Sequence, residues 1–454
     1  TGTDLEWQVL TSAEKPITLL NKLTQDKGET PFLAASVAPG IDRIGLFLPY
    51  TPLHHLLLEA FNKPIVATSA NRSGEPIIGD IAGIFACLAD VVDAIVDHNR
   101  PIANACDDSV VQVIHDQLQV IRLARGFAPL TLSHGLATSN IKPTLAVGAQ
   151  QKNTIALAFN RNMILSPHIG DLFSIEADQY FKDNLATFKR LYQFSPRAIV
   201  SDHHPDYSPS IWAKQFVQHN HGVNLVSIQH HYAHILAVMA ANQYQHKVIG
   251  FSFDGTGLGE DDALWGSEVM LADTSQFTTL GHFSSFKLIG GEQAIKQPVR
   301  ILLSLLFETC SLEYIKTLPI KAIKQLSEST LNNLHKLWLS NHHCIPCRSV
   351  GRLFDALAVA LELIDTNQFE GQAGMMIESQ AAKMDLNDQN PSIDLPDLSI
   401  TPQYVDNKIV WQSQLLFSQI INIISQAKPL NDSLRSYLCH QFIETIANAV
   451  NDVA

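Results

Sequence analysis

Short strand-like runs alternate with amphipathic helical stretches along this chain, and that alternation constrains its fold more than any other feature. β-branched residues dominate residues 64–67 and 110–114, which predicts strands. Apolar residues recur at helical spacing over 53–61 and 81–88, which predicts helices. At 454 residues the chain is long enough for about three domains of ~150 residues each. The sequence therefore predicts a multidomain protein of the α/β class.

The second half of the chain is expected to be more helical than the first. Residues 133–143 are small and polar and include a proline, which predicts a linker. After it we expect a strand at 145–147, a hairpin formed by 153–160 and 163–166, a loop at 387–402 and a hairpin turn at Asp406-Asn407. Long helices are predicted at residues 294–307, 320–339, 352–364 and 433–450.

Composition excludes several classes of protein. The formal net charge is −13, from 31 Lys and Arg against 44 Asp and Glu, which argues against a nucleic-acid partner bound through a dense basic surface. No apolar run reaches the ~18 residues of a spanning helix, so no membrane partner is expected. The six cysteines are sparse, which favours a reducing, cytoplasmic location. The chain begins without Met, and we expect a fragment or a processed piece.

A histidine-rich segment, residues 229–234, is the sharpest motif. His230 and His234 are four residues apart. A helix would place both imidazoles on one face, one turn apart, where they can share a metal ion. An ordinary structural role for either side chain is the alternative, because the chain has 19 histidines.

A carboxylate followed by glycines lies shortly after this motif. Residues 248–253 predict a strand, and Asp254-Gly255-Thr256-Gly257 comes next. A carboxylate at the end of a strand suits a metal or phosphate site, because the glycines let backbone N–H groups approach an anion. An Asp-Gly turn is the alternative. A hairpin would need a return strand soon afterwards, and the polar run 259–262 intervenes, so we favour a site.

Three other polar segments adjoin strand-like runs, and each has a structural alternative. A glycine turn at 148–154 carries Lys152 and suits phosphate, but its spacing is not that of a P-loop and Lys152 could be solvated. Ser69 and Asn71 suit either a nucleotide or a helix cap, and their spacing favours the cap. Ser109 is equally ambiguous.

Cys344 and Cys347 have the spacing of half a zinc site or of a redox pair. No second pair of this kind exists in the sequence, so a four-cysteine zinc site is excluded within the chain. A site completed by two histidines or a redox pair stays open, since His342 and His343 precede the cysteines. We favour two free thiols in a loop ahead of the helix predicted at 352–364.

Together these segments resemble the HypF family of hydrogenase maturation carbamoyltransferases. Strings in the first 134 residues are similar to part of its YrdC-like domain: LPYTPLHHLLL (48–58), TSANRSGEPI (68–77), DDSVV (107–111) and RLARGFAP (122–129). Later strings are similar to its Kae1-like domain: GAQQKNT (148–154), SPHIGDL (166–172), DHHPDY (202–207), QHHYAH (229–234), FDGTGLGEDDALWGSE (253–268), GRLFDALA (351–358) and FEGQAGMMIE (369–378). The order and number of these strings make the resemblance specific.

The resemblance implies a domain order and a reaction. It implies a partial YrdC-like α/β domain at 1–134, a linker at 135–144, and a two-lobed Kae1-like domain with the actin/hexokinase-type (ASKHA) fold at 145–454. In that family the first domain forms carbamoyl-adenylate from carbamoyl phosphate and ATP. The second transfers the carbamoyl group to the C-terminal cysteine of the partner protein HypE, where it becomes a cyanide ligand of the [NiFe]-hydrogenase iron.

Site residues also follow from the resemblance. It implies that His230, His234 and Asp254 bind a divalent ion, which would be Zn, Fe or Mg. It places Ser69, Asn71 and Ser109 near the nucleotide of the first domain, and Gly255, Gly291 and Asp355 near that of the second. Lys152 is the further candidate for a phosphate contact, and no catalytic residue is assigned.

The chain also departs from the family pattern. The family's acylphosphatase-like domain, its zinc-finger motifs and its C-terminal glycine-rich motifs are not in this sequence, so we expect a chain truncated at both ends with incomplete active sites. Three alternatives stay open: an enzyme of tRNA threonylcarbamoylation, a small-molecule O-carbamoyltransferase, and a non-enzymatic, nucleotide-dependent scaffold.

Overall fold

The structure is a computed structural model that describes residues 2–22, 33–34, 36–133, 141–384, 396–427 and 430–453. The chain forms two units, Thr1–Ile228 and Gln229–Ala454, which we call unit 1 and unit 2. Helices and mixed sheets occur in both, which confirms the predicted α/β class. The expected domain division at 134–145 does not coincide with the boundary between the units, and it stays a prediction.

Unit 1 combines five helices and ten strands in its described part. In chain order they are α1 (Asp4–Thr11), β1 (Ile17–Asn21), β2 (Arg43–Leu46), α2 (Pro52–Phe61), α3 (Ile81–Leu88), β3 (Val110–Ile114), β4 (Gln117–Arg122), β5 (Leu130–Ser133), β6 (Ile141–Ala146), β7 (Ala156–Asn160), β8 (Asn162–Leu165), α4 (Ile175–Leu191), β9 (Ala198–Asp202), α5 (Ser208–His219) and β10 (Asn224–Ile228). The predicted helices at 53–61 and 81–88, the strand at 110–114 and the hairpin at 153–166 are confirmed.

Two sheets organise unit 1. The strand order of the first is β2-β1-β3-β4, and that of the second is β10-β9-β6-β7-β8-β5. The strands β5 and β6 flank the predicted linker, yet both belong to the second sheet. The linker is therefore wrong at 141–143, where β6 has already begun, and residues 134–140 lie outside the described residues.

The strand predicted at residues 64–67 is wrong. This segment has no regular secondary structure, and its side chains are exposed. A β-branched run becomes a strand only when a neighbouring strand can accept and donate its backbone hydrogen bonds. In the described part of unit 1 neither sheet includes this segment.

Unit 2 combines seven strands and ten helices in its described part. They are α6 (His230–Ala241), β11 (Val248–Leu258), β12 (Leu264–Ala272), β13 (Phe277–Phe283), β14 (Phe286–Ile289), α7 (Glu292–Lys296), α8 (Val299–Thr309), α9 (Leu312–Thr317), α10 (Lys321–Lys324), α11 (Glu328–Ser340), β15 (Cys344–Cys347), α12 (Val350–Ala360), α13 (Gln372–Ala381), β16 (Pro402–Val405), β17 (Lys408–Trp411), α14 (Ser413–Gln426) and α15 (Asp432–Asn451).

Unit 2 contains one seven-stranded sheet. Its strand order is β14-β15-β12-β13-β17-β16, and β11 pairs with β12. Helices α8, α12, α14 and α15 bury their apolar faces in a single core, which contains Phe286, Leu357, Phe417 and Phe442. This burial holds α12 against the sheet beside β11, and both elements contribute to the site described below.

Local chemistry explains where the helix predictions for unit 2 differ from the structure. The helix predicted at 294–307 is two helices, α7 and α8, because Pro298 has no N–H to continue the first. The helix predicted at 320–339 is broken before Ser327, whose side chain caps α11 by accepting a hydrogen bond from Thr330 N–H. The helices predicted at 352–364 and 433–450 correspond to α12 and α15.

The hairpin turn predicted at Asp406-Asn407 is confirmed. It joins β16 to β17, with φ of 49° and 61° at its two residues, the left-handed values that a two-residue type I′ turn requires. Of the loop predicted at 387–402, residues 396–401 have no regular structure, Pro402 begins β16 and 387–395 lie outside the described residues. Within the described ranges, every helix is too short or too polar to cross a membrane.

Candidate metal centre

The first turn of α6 carries the two histidines of the motif. Gln229 is the N-cap residue, and its side-chain oxygen accepts a hydrogen bond from Tyr232 N–H at 2.9 Å. This cap starts the helix at His230 and places His234 one turn later. The two Nε2 atoms are 3.3 Å apart, so the predicted pairing on one helix face is confirmed.

Asp254 lies within β11, and not at the end of a strand as predicted. The register between β11 and β12 shifts between Phe253 and Gly257, so Asp254 occupies an irregular segment of the ladder. The predicted absence of a return strand is also wrong: β12 pairs antiparallel with β11, and residues 259–262 form the connection. A polar run of this kind is compatible with a longer hairpin loop, and the irregularity turns the carboxylate out of the regular ladder.

Several backbone contacts fix the position of Asp254. Ser349, the N-cap residue of α12, donates its hydroxyl to the Asp254 carbonyl at 2.6 Å. A Cβ on Gly266 would lie 2.5 Å from the same carbonyl, and one on Gly351 would lie 3.0 Å from Gly255 Cα. The close approach of these chains therefore requires glycine at both positions.

The three predicted ligands converge. Asp254 Oδ2 is 3.2 Å from His230 Nε2 and 3.9 Å from His234 Nε2. A zinc-type ion with bonds of about 2.0–2.2 Å would hold tetrahedral ligands roughly 3.3–3.5 Å apart, which is close to these spacings. Within the described residues this is the one group of three or more potential ligands that converges in this way. The residues present therefore fit a divalent ion.

Exposure differs across this group and gives the site an open side. The His230, Asp254 and His234 side chains are 15%, 27% and 56% exposed. Three protein ligands with one exposed flank leave a coordination position for a substrate or water, as in catalytic sites rather than closed structural ones.

The electrostatics favour an ionised carboxylate. Burial works to raise the pKa of Asp254, but the hydrogen bond from His230 and the charges of His230, His234 and His231 lower it to about 2. The carboxylate is therefore ready to bind a cation throughout the physiological pH range.

Of the two glycines that follow Asp254 in β11, Gly257 makes room for the histidines. A Cβ on Gly257 would lie 2.6 Å from His231 Cε1 and 2.7 Å from His230 Cδ2. A Cβ on Gly255 would lie 3.5 Å from Arg352 Nη2. The sequence predicted that these glycines let the backbone approach an anion. In the structure, Gly257 also packs directly against the imidazoles.

An ion-pair network lies beside the histidines. The buried Arg348 contacts Glu268 at 2.7 Å and Asp261 at 2.9 Å, and its guanidinium lies 4.6 Å from the Trp265 ring centroid. The Trp265 and His231 ring centroids are 5.9 Å apart. This network fixes one wall behind the histidines.

Gly255 and Asp355, two of the expected nucleotide contacts, both lie near the guanidinium of Arg352. Asp355 is only 4% exposed; Arg352 Nη1 is 3.0 Å from its Oδ2, and Asn367 donates to its Oδ1 at 3.0 Å. Burial raises its pKa, although Arg352 and Asn367 oppose this. Gly291, with φ of 58°, is the N-cap residue of α7, and a side chain there would approach Ile345.

The candidates in unit 1 make hydrogen bonds within that unit. Ser109 is fully buried; its hydroxyl donates to Arg125 O and accepts from Ala124 N–H. The Asn71 amide donates to Arg72 O and Glu75 O and so shapes its own turn. Ser69 and Lys152 are exposed, and Lys152 N–H bonds the Asp171 carboxylate. Nucleotide binding by these four residues stays a prediction.

The two cysteines lie in a strand, β15, so the predicted loop is wrong. Neither forms a disulfide, and the preference for free thiols over a zinc or redox site stays a prediction. Residues three apart in a strand point to opposite faces. Burial raises the pKa of Cys347 to about 12 and also raises that of Cys344. Neither thiol has the lowered pKa of a redox cysteine.

Sequence reasoning missed Gln229, His231 and Ser349. Ser349 precedes the helix predicted at 352–364, which was a usable N-cap signal. Nothing in the sequence shows that its hydroxyl would also bind Asp254 O, because that contact depends on how α12 packs against β11.

Comparisons with known proteins show the family of the chain. The family "Carbamoyltransferase, Kae1-like Domain, second subdomain" matches residues 250–454, and the "HypF Kae1-like domain" matches 139–241. The Sua5/YciO/YrdC family, described as "Telomere recombination", matches residues 1–124. The chain is 39% identical over 390 residues to the carbamoyltransferase HypF of Synechocystis, covering 83% of this chain and 49% of that protein.

The chain belongs to the HypF family. Its identity to the probable carbamoyltransferase HypF of Methanocaldococcus jannaschii is 30%, over 99% of this chain and 55% of that protein. The chain thus spans about half the length of these relatives. The crystal structure of full-length HypF in the phosphate- and nucleotide-bound form is similar, with a TM-score of 0.87 at 30% identity over 100% of this chain and 66% of the other. The crystal structure of T. kodakarensis HypF has a TM-score of 0.85 at 30% identity, over 99% of this chain and 56% of the other.

The family matches also give the order of the domains along the chain. A Sua5/YrdC domain comes first and Kae1-like domains follow, which confirms the fold expected from the sequence.

Proposed function

We propose that the chain acts in ATP-dependent carbamoyl transfer for [NiFe]-hydrogenase maturation. The observation that carries the proposal is the open three-ligand cluster of His230, His234 and Asp254 in a member of the HypF family. Relatives named carbamoyltransferases support the reaction class. A related structure with bound phosphate and nucleotide supports ATP as a substrate.

The proposed reaction has two stages. Water hydrolyses carbamoyl phosphate to carbamate and inorganic phosphate. A carbamate oxygen then attacks the α-phosphorus of ATP, which gives carbamoyl-adenylate and releases pyrophosphate. The thiolate of the C-terminal cysteine of HypE then attacks the carbamoyl carbon, and AMP leaves. The carbamoyl group becomes the precursor of the cyanide ligands of the iron. We place this work in the cytoplasm, on the basis of cysteine usage.

The chain's own residues divide this work between two places. Ser69, Asn71 and Ser109 would contact the nucleotide of the first stage, with Lys152 as a further phosphate contact. Gly255, Gly291 and Asp355 would contact that of the second. His230, His234 and Asp254 would hold the divalent ion, with Asp254 kept ionised by its neighbours. When bound, such an ion would act as a Lewis acid towards an acyl or phosphoryl oxygen.

Metal analysis tests the centre. We expect the double variant His230→Ala/His234→Ala to lose the divalent ion that the wild-type protein retains after dialysis, as measured by elemental analysis. The matched control is His219→Ala/His221→Ala, which removes two exposed histidines outside the cluster and should keep the metal. Equal metal content in both double variants would contradict the proposal.

Two partial assays test the division of labour. Asn71→Ala should reduce carbamoyl-phosphate-dependent exchange of pyrophosphate into ATP. His230→Ala should spare that exchange and block carbamoyl transfer to the HypE cysteine. Loss of exchange in a folded His230→Ala variant would show that the two stages do not use separate sites.

A further inference from the structure

The side-chain amide of Gln229 has one permitted orientation. Its Oε1 accepts a hydrogen bond from Tyr232 N–H at 2.9 Å, and its Nε2 donates to Leu258 O at 3.2 Å. Rotating the amide by 180° would set a donor against Tyr232 N–H and an acceptor against Leu258 O. Two independent backbone groups thus assign the nitrogen.

That orientation determines the tautomer of His231. The Gln229 Nε2 atom lies 3.2 Å from His231 Nδ1. Because Nε2 can only donate, Nδ1 must accept, and a neutral imidazole that accepts at Nδ1 carries its proton on Nε2. His231 is fully buried, and Gly257 leaves no space for the ring to move towards β11.

The protonated nitrogen faces the carboxylate of the metal centre. His231 Nε2 is 3.9 Å from Asp254 Oδ2, which is longer than a hydrogen bond but close enough for an N–H dipole to attract the carboxylate. The other carboxylate oxygen, Oδ1, accepts a hydrogen bond from Gly255 N–H at 2.6 Å. The backbone therefore fixes Oδ1, and Oδ2 lies near the Nε2 atoms of His230, His234 and His231.

We propose that His231, with its tautomer set by Gln229, is a positioning residue for the metal centre. His230 and His234 offer ring lone pairs to the ion, whereas His231 presents an N–H to Asp254 and orients its ligand oxygen. The three histidines of the motif thus have two different roles. This inference rests on the proposed function, since it concerns the same ion.

The expected size of the effect follows from the outer shells of other metal sites. Removing a group that orients a ligand typically weakens metal binding by about 10–100-fold. A Gln side chain at position 231 can place an amide N–H near the position of Nε2, whereas a Leu side chain of similar size cannot donate. Comparing the Gln and Leu variants at this position therefore separates the effect of losing the N–H donor from the effect of changing the buried side chain.

The experiment measures Zn²⁺ affinity at one pH by competition with a chelator. We expect His231→Leu to weaken Zn²⁺ binding by about 10–100-fold and His231→Gln to recover most of it. Gln229→Thr keeps a helix-capping oxygen but is too short to reach Nδ1, and it should weaken binding to a smaller extent. Circular dichroism of each variant reports whether the fold is kept.

A second measurement observes the tautomer directly. In the metal-free protein labelled with ¹⁵N-histidine, the resonances of His231, assigned by their loss in His231→Gln, should show Nε2 protonated and Nδ1 unprotonated. In Gln229→Thr this single tautomer should give way to a mixture.

The outcomes separate the two proposals. If His231→Leu binds Zn²⁺ as tightly as wild type while His230→Ala/His234→Ala does not, the positioning role is overturned and the metal centre stands. Protonation of Nδ1 in the wild-type protein would also overturn the role. If His230→Ala/His234→Ala keeps its affinity, the metal centre itself is refuted.

Discussion

Glu268 is a fully buried carboxylate beside the metal centre, and its ionisation should affect stability. Burial raises its pKa to about 7, although the contact with Arg348 at 2.7 Å works in the opposite direction. Below about pH 4.5 the folded and unfolded states both hold the proton. Between about 4.5 and 7 only the folded state holds it, so this residue makes stability fall as pH rises.

The variant Glu268→Gln tests this residue. Relative to Glu268→Gln, the wild-type protein should lose stability from about pH 4.5 to 7, by at most ~1.4 kcal/mol per pH unit, and the difference should be flat above pH 7. Urea unfolding at several pH values measures it, with Trp265 beside Arg348 as the fluorescent probe. The control for the same change of residue at an exposed position is Glu308→Gln. An unchanged difference across this range would contradict the raised pKa.

At the residue scale the sequence was informative where spacing alone sets geometry. His230 and His234 could be paired because four residues make one helical turn. The family resemblance assigned Asp254 to the same metal site. The irregularity of β11 at which Asp254 lies could not be predicted from the sequence. The roles of Gln229 and His231 depend on an amide wedged between Tyr232 and the far end of β11, which is a tertiary contact.

At the scale of the element, helix α6 approaches strand β11 at a glycine. A Cβ on Gly250 would lie 2.6–2.8 Å from three side-chain atoms of Ile235. Because α6 carries two ligands and β11 the third, this contact helps to set the distance between them.

Gly250→Ala should therefore disturb both stability and the metal centre. We expect a loss of about 1–3 kcal/mol of unfolding free energy from overpacking, together with weaker Zn²⁺ binding. Gly374→Ala is the matched control: Gly374 lies in α13 with open space at its Cβ position, so the change should be neutral or stabilising by up to ~1 kcal/mol. Urea unfolding and chelator competition measure the two effects. Equal unfolding free energies and Zn²⁺ affinities in the two variants would show that the close contact at Gly250 affects neither stability nor metal binding.

Elements were predicted well where local chemistry decides them and poorly where partners do. The Asp406-Asn407 turn and the helix α15 follow from residue type and apolar spacing. Residues 64–67 have strand-forming composition but pair with neither sheet in the described part of unit 1. Residues 259–262 looked too polar for a hairpin, yet β11 and β12 pair over most of their length, because sheet pairing depends on the whole ladder rather than on its connection.

At the scale of the whole molecule, each unit has its own core, which predicts that they respond separately to mutation and metal. Phe181 is fully buried in unit 1 and Phe442 in unit 2. Truncating a buried Phe to Ala typically costs about 3–5 kcal/mol. All three proposed metal ligands lie in unit 2.

Calorimetry with Zn²⁺ should therefore resolve two transitions with different sensitivities. Phe181→Ala should lower the melting temperature of one and Phe442→Ala that of the other. Because an ion that binds only the folded state adds about 2.7 kcal/mol at a concentration of 100 times its Kd, Zn²⁺ should raise only the transition that Phe442→Ala lowers. In His230→Ala/His234→Ala that shift should disappear while both transitions remain. Two results would contradict this prediction: a Zn²⁺ shift of equal size in the Phe181-sensitive transition, or a single transition that both Phe variants lower. Either would show that stability is shared between the units, since binding energy confined to unit 2 cannot otherwise reach unit 1.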